Sequence, residues 1–161
     1  MTLSSPSNAT LGNNNVHTYV INDNENAPSI GFNLISSSND ESVASQSIDV
    51  NLSSVSSKNI TVNYSATGTA TGSGTDYNLA NGTLTISPGE VTGTITITDI
   101  VDDSLDEANE TVIITLSSPT NASLGTDIVH TYTINDNDNA PAIGFNITSS
   151  KSDEPSPPIN I

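Results

Sequence analysis

The chain lacks cysteine and tryptophan altogether, and only two of its 161 residues are lysine or arginine. Without cysteine it has no disulfides, no thiolate metal ligands and no cysteine nucleophile. Aromatic residues make up only 4% of the sequence, so a large aromatic pocket is not expected. No apolar run is long enough to predict a transmembrane helix, and direct membrane insertion of this segment is therefore not expected.

Positive charge is almost absent as well. Lys58 and Lys151 face 18 carboxylates, which gives a formal net charge of −16. Nucleic acids and anionic membrane surfaces attract clusters of lysine and arginine, so neither is an expected partner. The natural partner of such a chain is a cation.

The residues that are present favour β-structure. One-third of the chain is hydrophobic, mostly valine, isoleucine, leucine and alanine, and serine, threonine, asparagine and glycine are abundant. Apolar residues alternate with polar ones, as in Ile48, Val50 and Leu52 and in Ile30, Phe32 and Leu34, which predicts half-buried strands. About seven such strands without a helical period predict an all-β fold, an antiparallel β-sandwich.

The alternation changes frame once, between Ile97 and Ile100. We expect a β-bulge there, directly before an acidic segment.

The sequence also repeats itself after about 113 residues. Three pairs of segments show this: Thr2–Pro6 and Thr115–Pro119, Val16–Tyr19 and Val129–Tyr132, and Ile30–Asn33 and Ile143–Asn146. The repeat predicts that residues 1–26 end one unit, residues 27–139 form a complete unit and residues 140–161 begin a third. We therefore expect the chain to be a window of a longer tandem array.

An acidic segment, Asp99–Glu110, places six carboxylates within a dozen residues between two strand-like stretches. Carboxylates so close repel one another unless water screens them or a cation lies among them. The segment is therefore a solvated loop or a site for a hard cation such as calcium. The run Asn135–Asn139 resembles the start of an EF-hand loop, but Pro141 and Ile147 stand where that motif requires Gly and Glu.

Acidic residues from separate segments are expected to meet at one end of the sandwich. Loops that follow alternate strands gather at the same pole, and Glu41, Asp76, Asp102–Glu110 and Asp136 all follow or join predicted strands. Together they offer enough oxygens for calcium, which takes six to eight.

The complete unit resembles a Calx-beta domain, the immunoglobulin-like sandwich of sodium/calcium exchangers and of large extracellular repeat proteins. The resemblance rests on motifs in a fixed order: Gly74–Tyr77, Gly82–Ile86, Pro88–Glu90, Asp102-Asp103, Glu107–Glu110, Pro119–Gly125 and Ile134–Asp138. It implies an immunoglobulin-like sandwich that binds Ca²⁺.

The resemblance also implies the calcium ligands. They are Glu41, Asp76, Asp102, Asp103, Glu107, Glu110, Asp136 and Asp138. Asn137 stands where the family often has aspartate, so fewer or weaker calcium ions are expected than in the exchanger sensor domains.

Other polar residues are interpreted as structural. Asp99 and Asp106 are expected to be solvated, Glu90 to cap a turn, and His17 and His130 to pack within the strands that carry them. No nucleophile, base and orienting group occur together, so the chain is not expected to be an enzyme.

The sequence therefore predicts a calcium-binding structural or adhesive repeat module of a cell-surface or secreted protein. Its expected partners are calcium ions and neighbouring repeats, with no protein or carbohydrate target identified. Two alternatives stay open: a metal-independent acidic spacer or stalk, and a calcium-sensing regulatory domain of a membrane transporter.

Overall fold

Nine strands, all between Ser29 and Asn135, form the folded part of the chain. The structure is a computed structural model and describes residues 1–22, 24–151 and 153–155. The strands are β1 (Ser29–Phe32), β2 (Ser36–Asp40), β3 (Gln46–Leu52), β4 (Ile60–Gly68), β5 (Gly82–Ile86), β6 (Thr92–Ile97), β7 (Glu110–Thr120), β8 (Ser123–Leu124) and β9 (Val129–Asn135). No helix long and apolar enough to cross a membrane occurs in this described part.

The strands form two facing sheets, in the orders β6-β3-β1-β8 and β2-β9-β7-β4-β5. The predicted immunoglobulin-like β-sandwich is confirmed, with two differences. There are nine strands rather than about seven, and the pairs β1–β8 and β2–β9 are parallel, so the sheets are mixed rather than purely antiparallel.

The first predicted strand accounts for part of this difference. It is two strands, because the chain leaves the first sheet after Phe32 and joins the second at Ser36. Leu34 lies in this crossover and is 61% exposed, so the prediction that it shares the inner face of Ile30 and Phe32 was wrong.

The core fills the space between the sheets. It consists of inward-facing side chains at alternate positions of the strands: Ile30, Phe32, Ile48, Val50, Leu52, Ile60, Val62, Ile86, Ile95, Ile97, Val112, Ile114, Leu116, Tyr132 and Ile134, with Ala70, Tyr77 and Ile100 from the loops. This burial supplies most of the driving force for folding, and it fixes the direction in which each strand reaches the ends of the sandwich.

The frame shift after β6 has a local cause. Thr98 still pairs with Asn78 in an isolated bridge, and Asp99 then adopts a left-handed backbone conformation with φ of 51°. This single residue turns Ile100 into the core. The change of frame therefore comes from the left-handed residue Asp99 beyond the end of β6. The pairing of β6 with β3 is continuous, so it contains no β-bulge.

The copies of these strands near the chain ends are different in structure. Ile143 and Phe145 repeat Ile30 and Phe32 in sequence but are 100% and 96% exposed. His17, the copy of the buried His130, is exposed too, so the packing role predicted for it is wrong in this chain. Neither segment is covered by a facing sheet in the described structure.

Candidate metal centre

Four connections meet at one pole of the sandwich because β2, β4, β6 and β9 all end there and β7 begins there. They are the segments 41–45, 69–81 and 98–109 and the residues that follow Asn135. The predicted convergence of acidic segments is observed in the geometry.

All eight predicted site residues lie at this pole. Glu41, Asp76, Asp103, Glu107 and Glu110 line a cavity of about 210 Å³, together with Thr75, Val101 and Ile134. Asp136 and Asp138 join Glu41, with one carboxylate oxygen from each lying within 4.8 Å of the others. Asp102 accepts a hydrogen bond from Asn137, and its charge acts on Glu41.

Glu41, Asp136 and Asp138 form the inner cluster, the name used below for these three residues. Glu41 directly follows β2 and Asp136 directly follows β9, two strands paired in parallel up to Asp40 and Asn135. The backbone N–H of Glu41 continues this pairing by donating to the carbonyl of Asn135 at 3.0 Å. The sheet therefore holds Glu41 and Asp136 side by side, and the N–H of Asp138 donates to Asp136; Glu41 is only 8% exposed.

Two oxygens of the inner cluster have no hydrogen-bond partner among the described residues. They are Glu41 Oε1 and Asp138 Oδ2, both shielded from solvent. By contrast, Asp136 accepts from the backbone N–H groups of Glu107 and Asp138, at 2.9 and 3.0 Å. Buried anionic oxygens without donors are costly unless a cation lies among them. An all-carboxylate donor set of this kind suits a hard cation.

The pKa values of two glutamates at this pole are raised by burial and by the same crowding of carboxylates. Burial raises the pKa of Glu41, the backbone amide of Asn137 opposes this, and the charges of Asp136, Asp138 and Asp102 raise it further. Burial likewise raises the pKa of Glu110, and its contact with the carboxyl group of Asp76 adds to the effect. Both glutamates therefore resist ionisation in the absence of a cation.

The loop between β6 and β7 supplies the outer side of the cavity. Asp103 accepts a hydrogen bond from the N–H of Leu105 at 2.7 Å, within the same loop. Sequence reasoning missed the role of Asn109, whose Oδ1 accepts from the N–H of Asp136 at 3.1 Å. This amide links the loop to the end of β9. In the sequence, Asn109 lies between two acidic residues of the segment Glu107–Glu110. Nothing in that pattern indicates that its side chain bonds to the backbone of Asp136 rather than to a metal ion.

Asp76 is held by the backbone around it. Its carboxylate accepts from the N–H of Thr71, and its carbonyl accepts from the N–H of Val101 at 3.0 Å. Gly68, at the end of β4, allows this loop to start close to β7, because a Cβ there would lie 2.0 Å from the carbonyl oxygen of Thr111. Glycine is therefore required at that position.

The acidic residues predicted not to bind metal lie outside the cavity. Asp99, Asp106 and Glu90 are exposed, and Glu90 closes a turn through its N–H to the carbonyl of Ser87 at 3.1 Å. His130 is buried among the strands as predicted, 2% exposed, and it is not one of the cavity-lining residues.

An immunoglobulin-like sandwich with carboxylates from four connections at one pole defines the class of this protein. The chain belongs to the Calx-beta domain family, whose model matches residues 23–138. Membership of this family agrees with a non-catalytic domain. No curated protein matches the chain in sequence.

Solved structures show the same relationship. The apo-form Calx CBD1 domain is 26% identical with a TM-score of 0.63, and the match covers 69% of this chain and 98% of that one. A structure described as the calcium binding domain CBD12 of CALX1.1 is also 26% identical with a TM-score of 0.63, over 70% of this chain and 47% of the other. The Calx CBD2 domain, at 17% identity and a TM-score of 0.60 over 67% of this chain and 86% of the other, shares the fold.

Proposed function

We propose that the domain binds calcium at its acidic pole and serves as a structural module in a longer cell-surface or secreted protein. One observation carries the proposal: separate connections bring carboxylates together, and two of their oxygens are buried without a hydrogen-bond partner in the described structure. A solvated acidic surface would point such oxygens to water instead. The likeness to a structure described as a calcium binding domain supports the choice of ion.

The donor set favours calcium over other metals. The cavity is lined by carboxylates without histidine, and the chain has no cysteine, so the nitrogen and sulfur ligands preferred by zinc and copper are missing from it. Magnesium requires a compact octahedron and keeps several waters, whereas calcium accepts six to eight oxygens in flexible geometry. Eight carboxylates on four connections suit the larger ion.

Calcium would act by neutralising carboxylates that otherwise repel one another, and it would thereby tie the four connections into one rigid end. Asp138 is followed almost at once by Ala140 and Pro141, where the sequence of a following unit begins. The internal repetition supports a tandem array, in which an ion at this end would order the joint between units. A site weaker than those of the exchanger sensor domains, as expected from Asn137, would suit the high calcium concentration outside cells.

The proposal is tested by titrating the whole chain with calcium in a calorimeter and by measuring its melting temperature in calcium and in chelator. We expect a heat of binding and a higher melting temperature, with about 2.7 kcal/mol of stabilisation when calcium is 100 times its dissociation constant. Magnesium at the same concentration is the control and should have a much smaller effect. Absence of both heat and thermal shift at millimolar calcium would favour the acidic spacer.

A further inference from the structure

His130 makes two hydrogen bonds in a buried position. Its Nδ1 lies 2.6 Å from the carbonyl oxygen of Leu34, and its Nε2 lies 2.9 Å from Oγ of Ser37. A carbonyl only accepts, so Nδ1 carries a proton, and in the neutral ring Nε2 accepts from the serine hydroxyl. The ring also packs at a tilt against Phe32, with centroids 5.5 Å apart.

These contacts join β9 to both sides of the crossover between the sheets. Phe32 ends β1, Leu34 lies in the crossover, and Ser37 is the second residue of β2. The N–H of Thr131, next to the histidine, also donates to the carbonyl of Ile35 at 3.0 Å. His130 therefore fixes the place at which the chain enters the second sheet.

The register of β2 on β9 depends strongly on the residue at which the chain enters the second sheet. Its five residues, Ser36–Asp40, are all polar and exposed or only half-buried, and β2 is the edge strand of its sheet. Register is well specified where an apolar face is buried and weakly specified in polar strands. The ladder with β9 and the hydrogen bonds of His130 are thus the main constraints on β2.

The register decides where Glu41 points. Ser37 pairs with Tyr132 and Asp40 with Asn135, and Glu41 then follows at the inner cluster. Successive residues of a strand point to opposite faces, so a slip by one residue would turn the Glu41 carboxylate away from Asp136 and Asp138.

We propose that His130 is a positioning residue for the calcium site: by bonding to Leu34 and Ser37 it sets the register of β2 and so places Glu41. This inference rests on the proposed function. It adds a residue that touches no candidate ligand and lies on the strand before the acidic run.

The test compares three variants of the whole chain by calcium titration and by hydrogen exchange at the Glu41 amide. His130→Phe keeps an aromatic ring but loses both hydrogen bonds, and it should weaken calcium binding about tenfold, as loss of a residue that orients a ligand does. Ser37→Ala, which is milder and keeps the fold, should weaken it in the same direction. His130→Asn retains a donor for the Leu34 carbonyl and should recover part of the affinity.

Val62→Ala is the matched control, because Val62 is fully buried on β4 and its loss destabilises the core without touching β2. It should leave both the calcium affinity and the exchange of the Glu41 amide unchanged. The inference is overturned if His130→Phe and Ser37→Ala keep wild-type affinity and protection, or if Val62→Ala weakens binding equally.

The hydrogen-exchange measurement keeps the two proposals separable, because it is made in chelator. The Glu41 N–H donates to Asn135 at 3.0 Å in the wild type and should exchange faster in His130→Phe. If the wild type binds no calcium but this amide still responds, the proposed function fails and the positioning of Glu41 by His130 stands.

Discussion

The two sides of the acidic cavity are built differently. In the inner cluster, Glu41 and Asp136 directly follow two paired strands and Asp138 lies two residues further on, and two of the buried oxygens without a partner in the described structure belong to this cluster. The opposite side is a loop, in which Asp103 bonds to a neighbouring N–H and the segment 101–109 is exposed throughout. One side is preformed by the sheet, whereas the other is an exposed segment held by a hydrogen bond within itself and by those that join Glu107 and Asn109 to Asp136.

The difference indicates that the two sides have different roles in calcium binding. The inner cluster is held together by backbone pairing that forms with the fold, so its mutual repulsion persists whether or not a cation is present. The loop carries four carboxylates, and it can move away from the inner cluster when its hydrogen bonds to Asp136 break, since exposed loops with few buried contacts open at low free-energy cost. We therefore expect the inner cluster to determine the affinity for calcium and the loop to become less mobile when calcium binds.

The largest expected effect follows from neutralising the inner cluster. Glu41→Gln combined with Asp138→Asn removes one buried and one half-buried charge and replaces an anionic oxygen with an amide nitrogen at each position. Affinity for calcium should fall at least about 100-fold, more than for loss of a ligand's orienting partner. Asp103→Asn, on the loop side, should reduce affinity about tenfold, and calorimetric titration of each variant measures both.

Asp106→Asn is the control for net charge, because Asp106 is exposed in the same loop and does not line the cavity. Its affinity should remain close to that of the wild type. Equal losses in the Asp103 variant and in the double variant would contradict a division between the two sides.

A smaller effect is expected in the dynamics of the loop. In chelator, the amides of residues 102–109 should exchange quickly, and calcium should slow them because the ion ties the loop to the inner cluster. The amide of Glu107 already donates to the carboxylate of Asp136 at 2.9 Å without an ion, so it should exchange more slowly in chelator than the other loop amides and should change less when calcium is added. Amides of β7 and β9 should change little, and equal protection of loop and strands upon binding would contradict this picture.

The sequence predicted the meeting of the acidic segments better than the strands that carry them. Strand alternation indicated which loops share an end, and the eight carboxylates that the family resemblance implies as ligands lie at that end; their binding of calcium stays a prediction. The crossover between Phe32 and Ser36 was not predicted, since Ile30, Phe32 and Leu34 alternate as a single strand would. A change of sheet is made by contacts with other strands, and these leave no local pattern.

The copies of β9 show the same limit more directly. Val16–Asn22 differs from Val129–Asn135 only by Val20 in place of Thr133. Yet Tyr132 is fully buried, while Tyr19 is 80% exposed. The local sequence supports a strand in both places, but only the second copy has β7 and β2 beside it. Strand formation here depends on partners distant in sequence, as it does in most sheets.

The smallest expected effect concerns pH in the calcium-free protein. The folded pKa of Glu41 lies above its ordinary value of 4.5, chiefly because of burial. The folded state therefore binds protons more tightly than the unfolded state, and the associated stability is fully present below about pH 4.5 and is lost as the pH rises through the folded pKa. The pKa of Glu110 is also raised, so its contribution to stability changes with pH in the same direction.

Glu41→Gln cannot ionise, so in chelator its melting temperature should exceed that of the wild type by a margin that grows between pH 4 and pH 7. Asp106→Asn again reports the general effect of one charge on the melting temperature. Adding saturating calcium at pH 7 should reverse the order, because the glutamine variant loses a ligand of the preformed side. A constant difference across the pH range would show that the pKa of Glu41 is not raised in the calcium-free protein.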